Sequence, residues 1–376
     1  MQPTYINQPG DYSGDTWHIA VVLALNDAAE VIQTISPKVK NSEQRSLQAR
    51  ALSIELGFSK RVHVAFTETD LYEDLTEGSN EGKKEYLNRN ESLAQNYLQA
   101  KFGGEKSNVN RIYKSTSIIM KALEIKGRTC TLNELKRKFA KDFEVNYPLA
   151  AKEIQKLIKE IPDQSIAVNA RFANYKKENN LNGEILNLIR ESIRYQKEKI
   201  IIVGDITSEK FKAIEEAKDL KTIDLYNIHS SVNNVWGTKY VNMLGTTYFW
   251  SKLAGENKNL VVVGGRSGSL DAAAFMGNKT IAWDNLIEDD PESARHIIQA
   301  PLLLSIVKIA GESDNNKTRS RYRNRGGSIK EWTPKEVISN VVFRGEEYRP
   351  IYNSEKIREI ILGGMNPRNK TEMIYE

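Results

Sequence analysis

The stretch Asn259–Asn285, "NLVVVGGRSGSLDAAAFMGNKTIAWDN", decides the fold. An apolar strand-like run, "NLVVVGG", ends in a glycine–serine knot at Gly264 to Ser269. Small apolar residues follow at helical spacing, then Gly277 and a second apolar run, "KTIAW". Strand, tight turn, helix and strand in that order make one unit of an α/β layer.

The same rhythm extends upstream from Ser165. "SIAVNAR" reads as a strand, and "GEILNLIRESIRYQK" as an amphipathic helix with Ile185, Leu188, Ile189 and Ile193 on one stripe. "KIIIVGD" is a strand ending at Gly204-Asp205, and "SEKFKAIEEAK" a helix opened by a serine cap. "KTIDLY" is a strand and "TKYVNMLGTTYFWSKLA" a helix. Right-handed crossovers turn this alternation into a parallel sheet covered on both faces.

A second α/β run precedes it. "WHIAVVLAL", Trp17 to Leu25, reads as a buried strand. "EQRSLQARALSIELGF" reads as a helix ended by Gly57, and "RVHVAF", Arg61 to Phe66, as the next strand. Residues 73–110 are a polar excursion with a helix at "NESLAQNYLQAKF"; 115–161 are mostly helical, and Pro162 closes them. After Pro291 the pattern loosens into the basic loop "NNKTRSRYRNRGG" and two terminal helices, at "TPKEVISNVV" and "SEKIREIILGG". The expected fold class is α/β: two Rossmann-like domains facing a cleft, with a mostly helical middle segment. The expected domains are 1–162, α/β with a helical insertion; 163–330, Rossmann-like and nucleotide-binding; and 331–376, helices packing back toward the first domain.

Composition bounds the chemistry. The 376 residues exceed one ordinary core, and a hydrophobic fraction of 40% supports globular domains. One cysteine, Cys130, and four scattered histidines exclude an intrachain disulfide and cysteine-based zinc sites. No apolar run reaches membrane-span length, and the N-terminus lacks a secretory pattern, so a cytoplasmic protein is expected. A net charge of +5 permits an anionic ligand but is modest for a nucleic-acid binder, despite the alternating Lys317, Arg319, Arg321, Arg323 and Arg325.

Ligands of open parallel sheets bind beyond the carboxyl ends of the strands. Gly264 and Gly265 stand at such an end. Ser267, Gly268 and Ser269 open a helix whose free N–H groups favour an anion, and Arg266 adds a fork of donors. A phosphate or diphosphate on a nucleotide is the expected ligand; the alternative is a plain strand-to-helix turn. Asn169 and Arg171, at the end of "SIAVNAR", with Lys176 in the next loop, form a second cationic edge. "NIHSSVNNVWGTK", with His229, Ser230, Asn233 and Trp236, offers contacts for base and ribose, or is a long polar connection.

"RSGSLDAAAFMGNKTIAW" resembles the signature near the end of the nucleotide domain of GT-B glycosyltransferases: Asp-Ser-Gly, two residues, His, an alanine-rich helix, Gly and a strand. Ser267-Gly268, Ala272 to Ala274 and Gly277 match. Arg266 stands where that pattern has its acid, and Asp271 where it has its histidine. "SIAVNARF" resembles the strand bearing His-x-Arg in fucosyltransferase-like members, with Asn169 for the histidine and Arg171 for the arginine that contacts the donor diphosphate. The resemblance, also to heptosyltransferase-like nucleotide domains, covers residues 165–285. It implies a metal-independent glycosyltransferase with a nucleotide-diphosphate sugar as co-substrate, no further cofactor, and an unidentified acceptor on the N-terminal domain. The donor would be held by Asn169, Arg171, Lys176, His229, Gly265, Arg266, Ser267, Gly268, Ser269 and Asp271. An inverting reaction needs a base; "FTETD" supplies Glu68 and Asp70 at a strand end, with His18 a weaker choice. "VVGGRSGSLDAA" also resembles the loop of Rossmann-like sensor and DNA-processing domains, which would bind a nucleotide or single-stranded DNA without transferring a sugar.

Overall fold

The computed structural model describes residues 3–10, 16–36, 53–71, 80–103, 109–111, 128–162, 165–172, 180–192, 199–225, 238–256, 260–265, 267–284 and 305–308, with a few isolated positions between them. The chain divides into two compact units, Met1–Ile125 and Lys126–Glu376. Each is built on its own parallel sheet. The fold class is therefore the expected one: α/β with two Rossmann-like units.

In the first unit β1 (Thr4–Pro9), β2 (Ala29–Ile35), β3 (Val62–Phe66) and β4 (Val109–Arg111) lie in the order β3-β2-β1-β4, all parallel. The expected first strand, Trp17–Leu25, is instead a helix, α1 (Thr16–Leu25), and the sheet starts at Thr4. Nine of its ten residues are buried. A short run that is apolar all round has no period to separate helix from strand, so burial alone gave the wrong element. β2, "AEVIQTI", followed from the same misreading: it occupies the place after α1 where no strand was expected. The strand at "RVHVAF" is β3, and the excursion helix is longer than expected, α2 (Asn80–Phe102). Tyr5, Ile32, Ala65, Ala94, Leu98 and Val109 form the core between α2 and the sheet. A buried polar chain crosses it. Asn7 Nδ2 donates to Ile32 O and Thr34 Oγ1, both at 3.2 Å; Thr34 donates to Asn90 Oδ1, and Asn90 Nδ2 donates to Tyr86 O.

The second unit opens with α3 (Arg128–Asn146) and α4 (Pro148–Lys159). The sequence division at Pro162 gave these helices to the first domain; they pack instead on α7 (Thr238–Glu256) in the second. The reason is their apolar stripe. Phe143 stacks on Tyr248 of α7 with ring centroids 4.7 Å apart, and Ala150, Ala151, Ile154 and Ile158 are buried.

The sheet of this unit holds β5 (Ile166–Ala170), β6 (Ile200–Gly204), β7 (Lys221–Asp224), β8 (Val261–Gly265), β9 (Lys279–Asp284) and β10 (Ser305–Lys308). Read from β7 the order is β7-β6-β5-β8-β9-β10, all parallel. This is the 3-2-1-4-5-6 order of dinucleotide-binding folds, and its direction reverses between β5 and β8. Near-continuous burial of β5, β6 and β8 is what a sheet covered on both faces requires. α5 (Gly183–Ser192) and α8 (Gly268–Phe275) complete the layers described here. The helix expected at "SEKFKAIEEAK" breaks at Ile214, whose extended backbone (ψ 98°) splits it into α6 (Glu209–Lys212) and a 3-10 turn, Glu215–Ala217. Ser208 caps α6 as expected, accepting from Lys210 N. The segments 309–376, with the basic loop and both terminal helices, lie outside the described residues.

Candidate nucleotide site at the sheet switch point

The carboxyl ends of β5 and β8 are neighbours in register, Asn169 opposite Gly264. The two loops singled out from sequence therefore start side by side, at the point where the strand order reverses. Crossovers leave β5 and β8 toward opposite sides there, which opens a crevice for a ligand.

Glycine at 264 is imposed by packing. An added Cβ would stand 2.8 Å from Asn169 Cβ and 3.1 Å from Leu270 Cδ1. Its role is to admit the Asn169 side chain. Gly265, the last residue of β8, is buried and pairs with Trp283 on β9. Gly204, at the end of β6, has φ +131°, and a Cβ there would meet Ala170 O at 2.5 Å. The close approach lets Asp205 N donate to Ala170 O at 3.1 Å.

Ser267 has an extended backbone and caps α8: its Oγ accepts from Leu270 N at 3.3 Å, and Asp271 N donates to Ser267 O at 3.1 Å. Asn169 Nδ2 donates to the same Oγ at 3.4 Å. The first-turn N–H groups of α8, at Gly268 and Ser269, thus open at the switch point, where the helix dipole favours negative charge. Arg171 is half-buried two residues beyond Asn169; its Nη1 donates to Asn180 Oδ1 at 3.3 Å and its carbonyl accepts from Leu181 N. That hydrogen bond braces the guanidinium beside the crevice. Asn169 is 1% exposed and Asp271 2% exposed, so both sit inside the packing behind this edge. Lys176, His229 and Arg266, with Ser230, Asn233 and Trp236, lie outside the described residues, as do the side chains of Ser269 and of Thr238 to Met243.

The sequence reading gave no role to Asp205 and Asp224. They end adjacent strands, Gly204 being opposite Asp224, one strand over from the Asn169–Ser267 pair. Burial raises the Asp205 carboxyl above the usual range, and the Asp224 charge adds to that; hydrogen bonds from the Ser208 backbone and Thr207 act against it. An acid at the end of the second strand is where dinucleotide folds hold ribose hydroxyls. The signal was present in "IIIVGD", but it gains meaning only once the strand order is known.

In the first unit, Glu68 and Asp70 lie where the sequence put them, past the carboxyl end of β3. Thr67 N donates to Ile35 O, and Ser36 Oγ to Thr69 O, which fixes the turn; Glu68 is exposed and Asp70 half-buried. His18 is in the first turn of α1 and buried. Among the described residues no helix is long and apolar enough to cross a membrane.

No protein-family model and no curated protein matches the chain. Solved structures that match over nearly its whole length include the two that follow. A glycosyl transferase family 9 protein from Veillonella parvula is 12% identical, with 92% of this chain and 98% of that one covered, at a TM-score of 0.41. The UDP-GlcNAc 2-epimerase from Neisseria meningitidis, solved with UDP-GlcNAc bound, is 12% identical, with 96% and 99% covered, at a TM-score of 0.30. Likeness at this level carries no correspondence between residues.

Proposed function

We propose that this chain is a glycosyltransferase that takes a sugar from a nucleotide-diphosphate donor and needs no metal ion. One observation supports the reading above others: β5 and β8 end together at the switch point, with Arg171 on one side and the capped N-terminus of α8 on the other. The diphosphate would accept from the amides of Gly268 and Ser269 and the hydroxyl of Ser267. Arg171 and, from the sequence, Lys176 and Arg266 would balance its charge. Asp205 would take a ribose hydroxyl. Cations and helix amides placed at the leaving diphosphate stabilise the charge that develops there as the sugar departs. The motif resemblance supports the transferase step. Glu68 and Asp70 remain the proposed bases for the acceptor hydroxyl.

The test is calorimetric titration with UDP, GDP and CMP, followed by donor hydrolysis assays with and without EDTA. Arg171→Ala and Arg266→Ala should each weaken the bound nucleoside diphosphate by about ten- to a hundredfold, the loss of one charge-assisted hydrogen bond. Activity should survive chelation. Equal affinity in wild type and both variants would place the site elsewhere; activity abolished by EDTA and restored by Mn²⁺ would replace the metal-free mechanism.

A further inference from the structure

Glu30, His63 and Lys101 meet in the first unit, one each from β2, β3 and the last turn of α2. His63 Nε2 is 2.6 Å from Glu30 Oε2, and Lys101 Nζ is 3.2 Å from His63 Nδ1. An ammonium only donates and a carboxylate only accepts. The two contacts therefore fix the imidazole: Nδ1 accepts from Lys101, and Nε2 holds the proton and donates to Glu30. The ring is confined there. Its side chain is 10% exposed, and the Tyr97 and Phe102 rings flank it with centroids 6.3 and 5.9 Å away. A second proton on the ring has only Nδ1 to go to, where it faces the Lys101 ammonium.

We propose that these three residues form a proton-operated latch on the last turn of α2, closed while His63 is neutral and opened when Nδ1 is protonated. Imidazole is the side chain suited to such a switch, because its charge ordinarily changes between pH 5 and 8. Glu30 keeps its bond in both states, since Nε2 donates in both. Lys101 keeps only the Tyr97 hydroxyl, at 2.9 Å, and its place over the Tyr97 and Phe102 rings. The other charged and titratable groups facing the latch do not replace the lost contact. The Tyr5 hydroxyl, on β1, feels the charges of both Glu30 and Lys101. Arg61 faces Glu30 and Asp27, but its guanidinium is committed to Leu23 O, Asn26 O and Ala29 O. Further up α2, Asn90 bonds Thr34, and Ala94 and Leu98 are buried on the sheet. Opening is thereby confined to the end of the helix, where Phe102 is already 52% exposed and Gly103 N bonds Gln99 O at 3.1 Å.

The experiment uses the full-length protein. Long-range proton–nitrogen NMR correlations of the histidine rings are followed from pH 8 to pH 5, with His63 assigned by its loss in His63→Asn. At pH 8 the ring should be the Nε2–H tautomer; a proton on Nδ1 at that pH would overturn the proposal. By pH 5 the ring should carry both protons, and a ring still neutral there would leave no switch. Hydrogen exchange of residues 101–103, divided by the intrinsic rate at each pH, should be about fivefold faster at pH 5 than at pH 8, the effect of one lost hydrogen bond. Lys101→Met should show the faster exchange at both pH values. His63→Asn puts an amide oxygen near the Nδ1 position, which accepts from Lys101 and does not titrate, so exchange should stay slow at pH 5. A pH response of equal size in wild type and Lys101→Met would overturn the latch. Should His63→Asn not fold, His63→Gln assigns the ring signals, and wild type against Lys101→Met, a change at an exposed residue, decides.

Discussion

Asp205 carries a cost that the fold tolerates at neutral pH. Its native carboxyl titrates above the ordinary aspartate value because burial, then the Asp224 charge, disfavours ionisation. The native state therefore holds its proton to higher pH than the unfolded chain does. Stability falls as pH rises from the ordinary aspartate value of about 4 through the raised native one. Asp205→Asn should accordingly be more stable than wild type at pH 7, with the advantage gone below about pH 4. If the carboxylate holds a ribose hydroxyl, the same variant should bind UDP about tenfold more weakly. Urea midpoints at both pH values, with a UDP titration, measure the two effects. A variant less stable than wild type at pH 7 would show that Asp205 is held by favourable partners, leaving no stability cost to explain by function.

The packing of α3 and α4 on α7 turns on one buried phenol. Tyr248 donates to Glu144 Oε1 at 2.7 Å and accepts from Gln155 Nε2 at 2.6 Å, joining all three helices. Burial, then the hydrogen bond to Glu144, pushes its own ionisation up far beyond the usual range. Lys252, then Tyr248, holds the Glu144 carboxyl below its usual value. A lowered carboxyl stabilises above its unfolded pKa, and that contribution is lost as pH falls through the native one. Tyr248→Phe keeps the stack on Phe143 and removes only the hydroxyl. It should cost about 1 kcal/mol, read as a shift in urea midpoint at unchanged slope; no shift would mean that the stack alone joins the helices. These helices also show what the sequence could convey. Amphipathic stripes made α3, α4 and α5 legible, because a polar face marks the period. They did not say which unit the stripe would cover, since Phe143 and Tyr248 are 105 residues apart and nothing local pairs them. Thr16–Leu25 carried no polar face, so its period was hidden. The candidate edge was legible where glycine and serine mark a strand end, at Gly264 to Ser269. Asp205 was not, because its neighbour across the sheet is chosen by strand order.

Strand order is also what ties the proposed ligand to one side of the second unit. In a parallel sheet every strand ends on the same edge, so β5, β6 and β8 present Arg171, Asp205 and Ser267 together, although they are up to 96 residues apart in sequence. The first sheet follows the same rule by itself, reversing between β1 and β4 and carrying Glu68 and Asp70 at its own carboxyl edge. The amino edge of the second sheet holds a different chemistry: Lys221 bonds Glu160, and Asn278 Nδ2 closes on Trp250 O and Ala273 O. The bonds to Glu160 O and Ala273 O fall in the last turns of α4 and α8, and the bond to Trp250 O ties α7 to the same edge. Hydrogen exchange on the intact protein separates the two edges. Saturating UDP or pyrophosphate should slow exchange at residues 171–172, 205–208 and 267–270, where loop amides leave the carboxyl edge, and leave residues 199–200, 220–221 and 277–279 unchanged. Amides at helix N-termini and loop starts are the ones a bound diphosphate can engage, whereas strand amides are already paired in the sheet. Protection confined to the amino edge would remove the switch-point site and, with it, the transferase reading that depends on a donor held there.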